Sequence, residues 1–204
     1  MSNWIENIVD PDYLKDNMTF VSLFITVYES MTDYVVSNVY DFLCDWKVEN
    51  GKEIHVKTAS YKERIENRVV DDEGHKDKTK ASFLWLVDYS AITQKDYESF
   101  LSAKKVRNKY AHELFNVILT GVSEADVNCF FSMVSVFRKI ANWWFVEYEA
   151  GIAGDEITEG AELDKAQSVT NVVLDMIIDV LYNGKSEEYK NMIDAYKDGG
   201  KHEV

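Results

Sequence analysis

The sequence predicts an all-α chain, an up-and-down bundle of five to seven helices with a charged insertion after the first long helix. Three observations carry this prediction. One proline and nine glycines are few for 204 residues, so long stretches run without a breaker. Within those stretches apolar residues recur at spacings of three and four, the helical period. Capping signals stand where the stretches begin.

The first start signal is Asp10-Pro11, an N-cap residue followed by proline at the first helical position. From Tyr13 to Leu43 the period is kept by Leu14, Met18, Val21, Phe24, Tyr28, Met31, Val35 and Val39, with Asp16 or Asn17 as the place for a break. Some thirty helical residues would span roughly 45 Å, which demands packing along a bundle axis. Residues 47–80 differ. Asn50-Gly51 is a turn signal, Tyr61 to Val70 reads as a short helix, and DDEGHKDKTK (71–80) reads as an exposed loop.

Periodicity returns from Ala81 to Ile92. Thr93 to Asp96 has capping-box spacing, with Asp in place of Glu, and opens a helix carrying Tyr97, Phe100, Leu101, Val106 and Tyr110. Ser123 to Asp126 repeats the pattern before a long amphipathic run from Val127 to Tyr148, ended by Gly151 and Gly154. Beyond the linker GDEITEGAE, Leu163 to Tyr182 forms a further helix stopped by Asn183-Gly184; Ser186 caps a short last one, and the tail DGGKHEV is expected to fray. The domain reading is a helical bundle over 1–155, with 47–80 as its insertion, and a C-terminal helical extension over 156–204 packed on it.

Charge and composition bound the function. A net charge of −14 excludes a broad nucleic-acid coat or a surface for anionic membranes, so any contact with nucleic acid needs a local positive patch. The amino terminus lacks the basic-then-apolar run of a secretion signal. No apolar stretch approaches the ~20 residues that cross a bilayer. Cys44 and Cys129 read as reduced core thiols, so the expected setting is soluble and cytoplasmic, with no membrane partner.

Cofactor and metal signatures are absent from the sequence. His55, His75, His112 and His202 are not paired at metal-ligand spacing, no HExxH or CxxC occurs, and no glycine-rich turn follows a strand. His75 lies among Asp71, Asp72, Glu73 and Asp77, which reads as a solvated loop rather than a cation site. Of Trp143 and Trp144, adjacent residues about 100° apart on a helix, Trp144 falls in the apolar register and Trp143 is left for a subunit contact or a rim.

The stretch KKVRNKYAHELF (104–115) remains. It gathers Lys104, Lys105, Arg107, Asn108, Lys109, Tyr110 and His112 in an acidic chain. A histidine can take a proton from a ribose 2′-hydroxyl and return one to a leaving 5′-oxygen. An arginine can hold the phosphate between them through two parallel hydrogen bonds. Asn108, four residues before His112, shares its helical face and can orient the ring. The pair suffices for cleavage without a metal, because RNA supplies its own nucleophile. Arg107 and His112 are five apart, roughly 140° around a straight helix. Two chains meeting at a two-fold axis would relieve that separation.

R-N-x-x-A-H on a late helix of an all-α chain resembles the HEPN superfamily, whose hallmark is Arg, a polar residue, then His after four to six positions. Arg107, Asn108 and His112 fit it, over helical regions 12–45 and 81–150. The resemblance implies a bundle of about five helices, a face-to-face homodimer, metal-independent endoribonuclease activity on RNA, and a setting in toxin–antitoxin or anti-phage abortive-infection systems, with an antitoxin or activator protein as a further partner. It makes His112 the general acid or base, Arg107 the phosphate clamp and Asn108 the orienting group. Lys104, Lys105, Lys109 and Tyr110 are the substrate-binding candidates. Members paired with a nucleotidyltransferase antitoxin often carry Tyr directly after the histidine; Glu113 stands there, which argues against that kind of antitoxin. Two other readings stay open, a non-catalytic helical module that binds a protein partner and a small-ligand sensor in the bundle core.

Overall fold

Asp10 begins the longest helix as its residue type dictates: its carboxylate accepts from the amides of Asp12 and Tyr13 at 3.0 and 3.2 Å. The structure, a computed structural model, describes residues 4–70, 74–149, 168–182 and 184–191. The chain is mostly helical with a small two-stranded sheet. It divides into two compact units, Met1–Ile140 and Ala141–Val204.

In the first unit, α1 (Trp4–Val9) precedes α2 (Pro11–Leu43), an unbroken helix of 33 residues and ~50 Å. No break occurs at Asp16 or Asn17. Asn17 is buried instead, and its side chain accepts the Val122 amide at 2.7 Å while donating to the Tyr13 carbonyl at 2.8 Å. A polar residue in an apolar stripe is here a tie between distant chain segments. Gly121 completes that junction. It caps α5 (Gln94–Thr120) at φ 84°, and a Cβ there would lie 2.6 Å from the Tyr13 hydroxyl, so a side chain would strain the backbone and displace that hydroxyl.

The turn expected at Asn50-Gly51 forms, and it joins two strands that the sequence reading does not include. Cys44–Glu49 (β1) and Lys52–Lys57 (β2) pair antiparallel, with Trp46 opposite His55, around Asn50 and Gly51 at φ 52° and 73°. Positive φ at both turn residues is what Asn-Gly supplies in a two-residue hairpin. Cys44 therefore begins a strand rather than lying inside a helix. It and Cys129 are free thiols, both pushed up by burial. A helical turn (Ala59–Tyr61, α3) and a π-turn (Lys62–Glu66) follow. Helix α4 (Lys78–Asp88) starts inside the expected loop, because Asp77 caps it by accepting the Lys80 amide at 2.9 Å. Asp71, Asp72 and Glu73 lie outside the described residues.

The caps of α5 and α6 (Glu124–Trp144) form as read. Thr93 and Asp96 exchange both capping bonds, and Ser123 and Asp126 do the same. The core of this unit is aromatic. Phe83 of α4 stacks on Phe100 of α5 with centroids 3.8 Å apart, and Tyr28 of α2 lies parallel to Phe100 at 6.2 Å. Phe24 meets Tyr110 edge-on at 5.3 Å, and Phe20 meets Phe130 of α6 at 5.5 Å. The two edge-on contacts fall in the favoured range of ring geometries.

In the second unit α6 runs into a π-turn (Phe145–Glu149), with Trp143, Trp144 and Tyr148 in mutual ring contact. Trp144 is buried, Trp143 half-buried. Helix α7 (Val169–Tyr182) is capped by Ser168, and residues 186–191 are helical. The expected stops at Gly151, Gly154 and Asn183, the linker, and the tail from 198 with His202 lie outside the described residues.

The packing predicts a contrast. Phe24 has no exposed surface, so Phe24→Ala should lower the unfolding free energy by about 3–5 kcal/mol. Phe115→Ala, at a residue 76% exposed, should change it by less than about 0.5 kcal/mol. Urea unfolding followed by circular dichroism reads both; equal losses would mean that the aromatic seam is not the core.

Candidate functional site

The motif lies on α5, after its buried first half (Tyr97, Phe100, Ala103) and around the buried Tyr110. Arg107 faces α2. Its Nε donates to Glu29 Oε1 at 2.7 Å and its Nη2 lies 2.5 Å from the same oxygen. One edge of the guanidinium is thus fixed. From the other edge Nη1 leans along the helix to Asn108 Oδ1 at 3.4 Å. Asn108 sits about 40° from His112 around the helix axis, so this lean carries the cation toward the histidine's face.

His112 is exposed and makes no hydrogen bond or ion pair among the described residues. The structure does not bring it onto Arg107 within one chain. Helix α5 does bend, at Glu113 (φ −122°, ψ 22°), but that is one residue past the histidine, so the ~140° between the two side chains is kept. Residues 111–116 are all exposed, Leu114 at 42% and Phe115 at 76%. These six consecutive residues point in every direction around the axis, so no side of this segment is buried by the described residues.

Beside the Arg107–Glu29 pair opens a cleft of about 200 Å³, lined by Tyr28, Glu29, Thr32, Thr79, Lys104, Arg107 and Asn108. Lys104 reaches Asp77 at 2.9 Å, tying the first turn of α4 to the motif helix. The Tyr28 hydroxyl is pushed up to about 12, by burial first and then by Glu29, against the opposing pull of Arg107. It remains a neutral donor near neutral pH and is no base.

The other expected substrate-binding residues divide. Lys105 is exposed and has no ion pair among the described residues. Lys109 is committed to Asp126 at 2.6 Å, with its ammonium over the Tyr110 ring at 5.3 Å. Tyr110 is corrected outright. It is 1% exposed and packed on Phe24, so it is a core ring and cannot meet a ligand. Sequence reading missed Glu29, Tyr28, Thr79 and Asp77. Only Asp77, three residues before Lys80 at the head of a helical run, carries a local signal.

Asp77, Asp96 and Asp126 share one design: each caps a helix and takes a lysine from elsewhere (Lys104, Lys139 and Lys109). Burial raises each carboxyl, but the lysine and the capping bonds outweigh it, and all three are held below their ordinary value. Among the described residues, no group of three or more His, Cys, Asp or Glu is placed to hold a metal ion. No described helix is long and apolar enough to cross a membrane. Comparison of the chain with protein-family models, with curated proteins and with solved structures finds no match.

The depressed aspartates carry a pH prediction. A carboxyl with a lowered folded pKa contributes stability that is present above its ordinary value of 3.8 and is lost as pH falls through the folded value. Lys109→Met removes the partner of Asp126, so acid unfolding should begin at higher pH than in the parent. An acid titration followed by circular dichroism reads the midpoint; coincident curves would show that the pair contributes nothing.

Proposed function

We propose that this protein is a metal-independent endoribonuclease of the HEPN type, working as a homodimer through the motif face and serving as a toxin or anti-phage effector. The observation that supports it most is the opposite treatment of two motif residues. Arg107 is oriented by Glu29, with Nη1 turned toward the face of Asn108 and His112, while His112 and the residues around it, 111–116, are left uncovered. A cation anchored on one side of the helix and an uncovered imidazole on another suit a cleft completed by a second copy. In a two-fold dimer, Arg107 of one protomer can serve with the partner subunit's His112, and the 140° separation within each chain is no obstacle.

The chemistry then runs as an internal transfer. His112 takes the proton from the 2′-hydroxyl as the 2′-oxygen bonds to phosphorus. The bond from phosphorus to the 5′-oxygen breaks, and the imidazolium so formed gives its proton to that oxygen. The products are a 2′,3′-cyclic phosphate and a 5′-hydroxyl. Arg107 holds the charge that grows on the non-bridging oxygens, and Asn108 steadies the guanidinium beside it. DNA lacks the nucleophile and is not cut.

A non-catalytic interaction module is the competing reading. It is favoured by the Arg107–Glu29 pair itself, since a structural ion pair needs no substrate. One experiment separates the two. Purified protein in EDTA should cleave single-stranded RNA, and His112→Ala should slow cleavage by about 10²–10⁴-fold, the usual worth of a general acid–base group. Equal inertness of parent and variant, or cleavage that requires a divalent ion, would end the nuclease reading.

A further inference from the structure

The Arg107 cleft does not stop at Lys104. Lys104 and Thr79 form one wall of it, and the same two residues line a second, larger groove of about 730 Å³ that runs along the start of α4. That volume is within the ~300–1,000 Å³ typical of ligand pockets and is far larger than an ion needs. Lys76, Lys78 and Lys80 line the groove, so five cations, with Lys104 and Arg107, stand along the continuous surface against two carboxylates, Asp77 and Glu29. Among these lining residues the sign of the −14 chain is reversed.

We infer that this groove is the path of the RNA backbone leading away from the scissile phosphate held by Arg107, an inference that rests on the nuclease reading above. Lys76 and Lys78 are exposed. The lysines are only lightly engaged: Lys76 donates to the Asn67 amide oxygen at 2.9 Å, Lys78 lies 3.7 Å from Glu66, and Lys80 lies 3.7 Å from Asp77. Exposed pairs of this kind contribute little, so phosphates displace them readily. Asp77 is the fixed point. Bonded to both the Lys80 amide and Lys104, it keeps the head of α4 beside the motif helix and so keeps the two grooves joined. The remaining wall is Val69, Val70, Thr79 and His75, with no Phe, Tyr or Trp for bases to stack on, so the groove reads phosphates rather than sequence.

The test uses the full chain carrying His112→Ala, so that RNA survives, and a fluorescein-labelled oligouridylate of about twelve nucleotides. Anisotropy gives the binding constant across a salt series. On this background the triple Lys76→Gln, Lys78→Gln, Lys80→Gln should weaken binding and make the slope of log K against log salt shallower by about 2, since each single-strand phosphate that is no longer neutralised removes ~0.7. A Lys→Arg triple at the same positions should keep the parent slope, and thermal melts check folding. A control triple on and near the hairpin, Lys47→Gln, Lys52→Gln, Lys62→Gln, makes the same charge change away from the groove and should leave the slope alone. No binding by the parent, an unchanged slope in the groove triple, or equal losses in both triples overturns the path. Cleavage by the native chain is scored separately: RNA that binds with the expected slope yet is never cut removes the nuclease and keeps the groove, and RNA that is cut while both triples bind alike removes the groove and keeps the nuclease.

Discussion

The pair between Arg107 and Glu29 lies where the two longest described helices, α2 and α5, run together, and the geometry of the motif follows from that seam. Apolar packing sets how close the helices come: Phe24 against Tyr110 on the motif side, Tyr28 against Phe100 a turn away. With Tyr110 buried and Arg107 drawn to α2, helical rotation leaves no choice for His112, which must face outward. The core thus decides which residues of the motif can act. Tyr110 is used up by the seam, Arg107 is aimed by it, and His112 is released from it.

Charge is organised on the same plan. Each of three helix starts carries an aspartate that caps the backbone and grips a lysine from another element, so an acidic chain uses its carboxylates as joints. Asp77 links this to the site: by holding Lys104 and the head of α4, it sets a row of cations beside Arg107. A chain unsuited as a whole to meeting a polyanion can still present one narrow surface that is suited to it.

What could be read in the sequence was local. Asp10-Pro11, Thr93 to Asp96 and Ser123 to Asp126 form their caps as written, because such bonds join residues two or three apart. The hairpin was legible at its turn, Asn50-Gly51, and also in its strands, where Cys44, Trp46 and Val48, then Ile54 and Val56, alternate with polar residues. The density of charge around them hides that pattern, and both strands are exposed almost throughout. Asn17 looked like a break because its partner, the Val122 amide, is 105 residues away. The candidate site divides in the same way. Arg107, Asn108 and His112 stand out by spacing alone, whereas Glu29 reaches Arg107 across 78 residues, and nothing local marks it.

The central claim is that a guanidinium and an imidazole held apart on one helix act together across two copies of the chain. Mixing two inactive variants tests it most directly. Arg107→Ala and His112→Ala, each purified alone, should fail to cut RNA in EDTA, and subunit exchange between them should restore cleavage, because mixed dimers contain one intact pairing. A mixture as inert as its components, beside an active parent, would contradict the account.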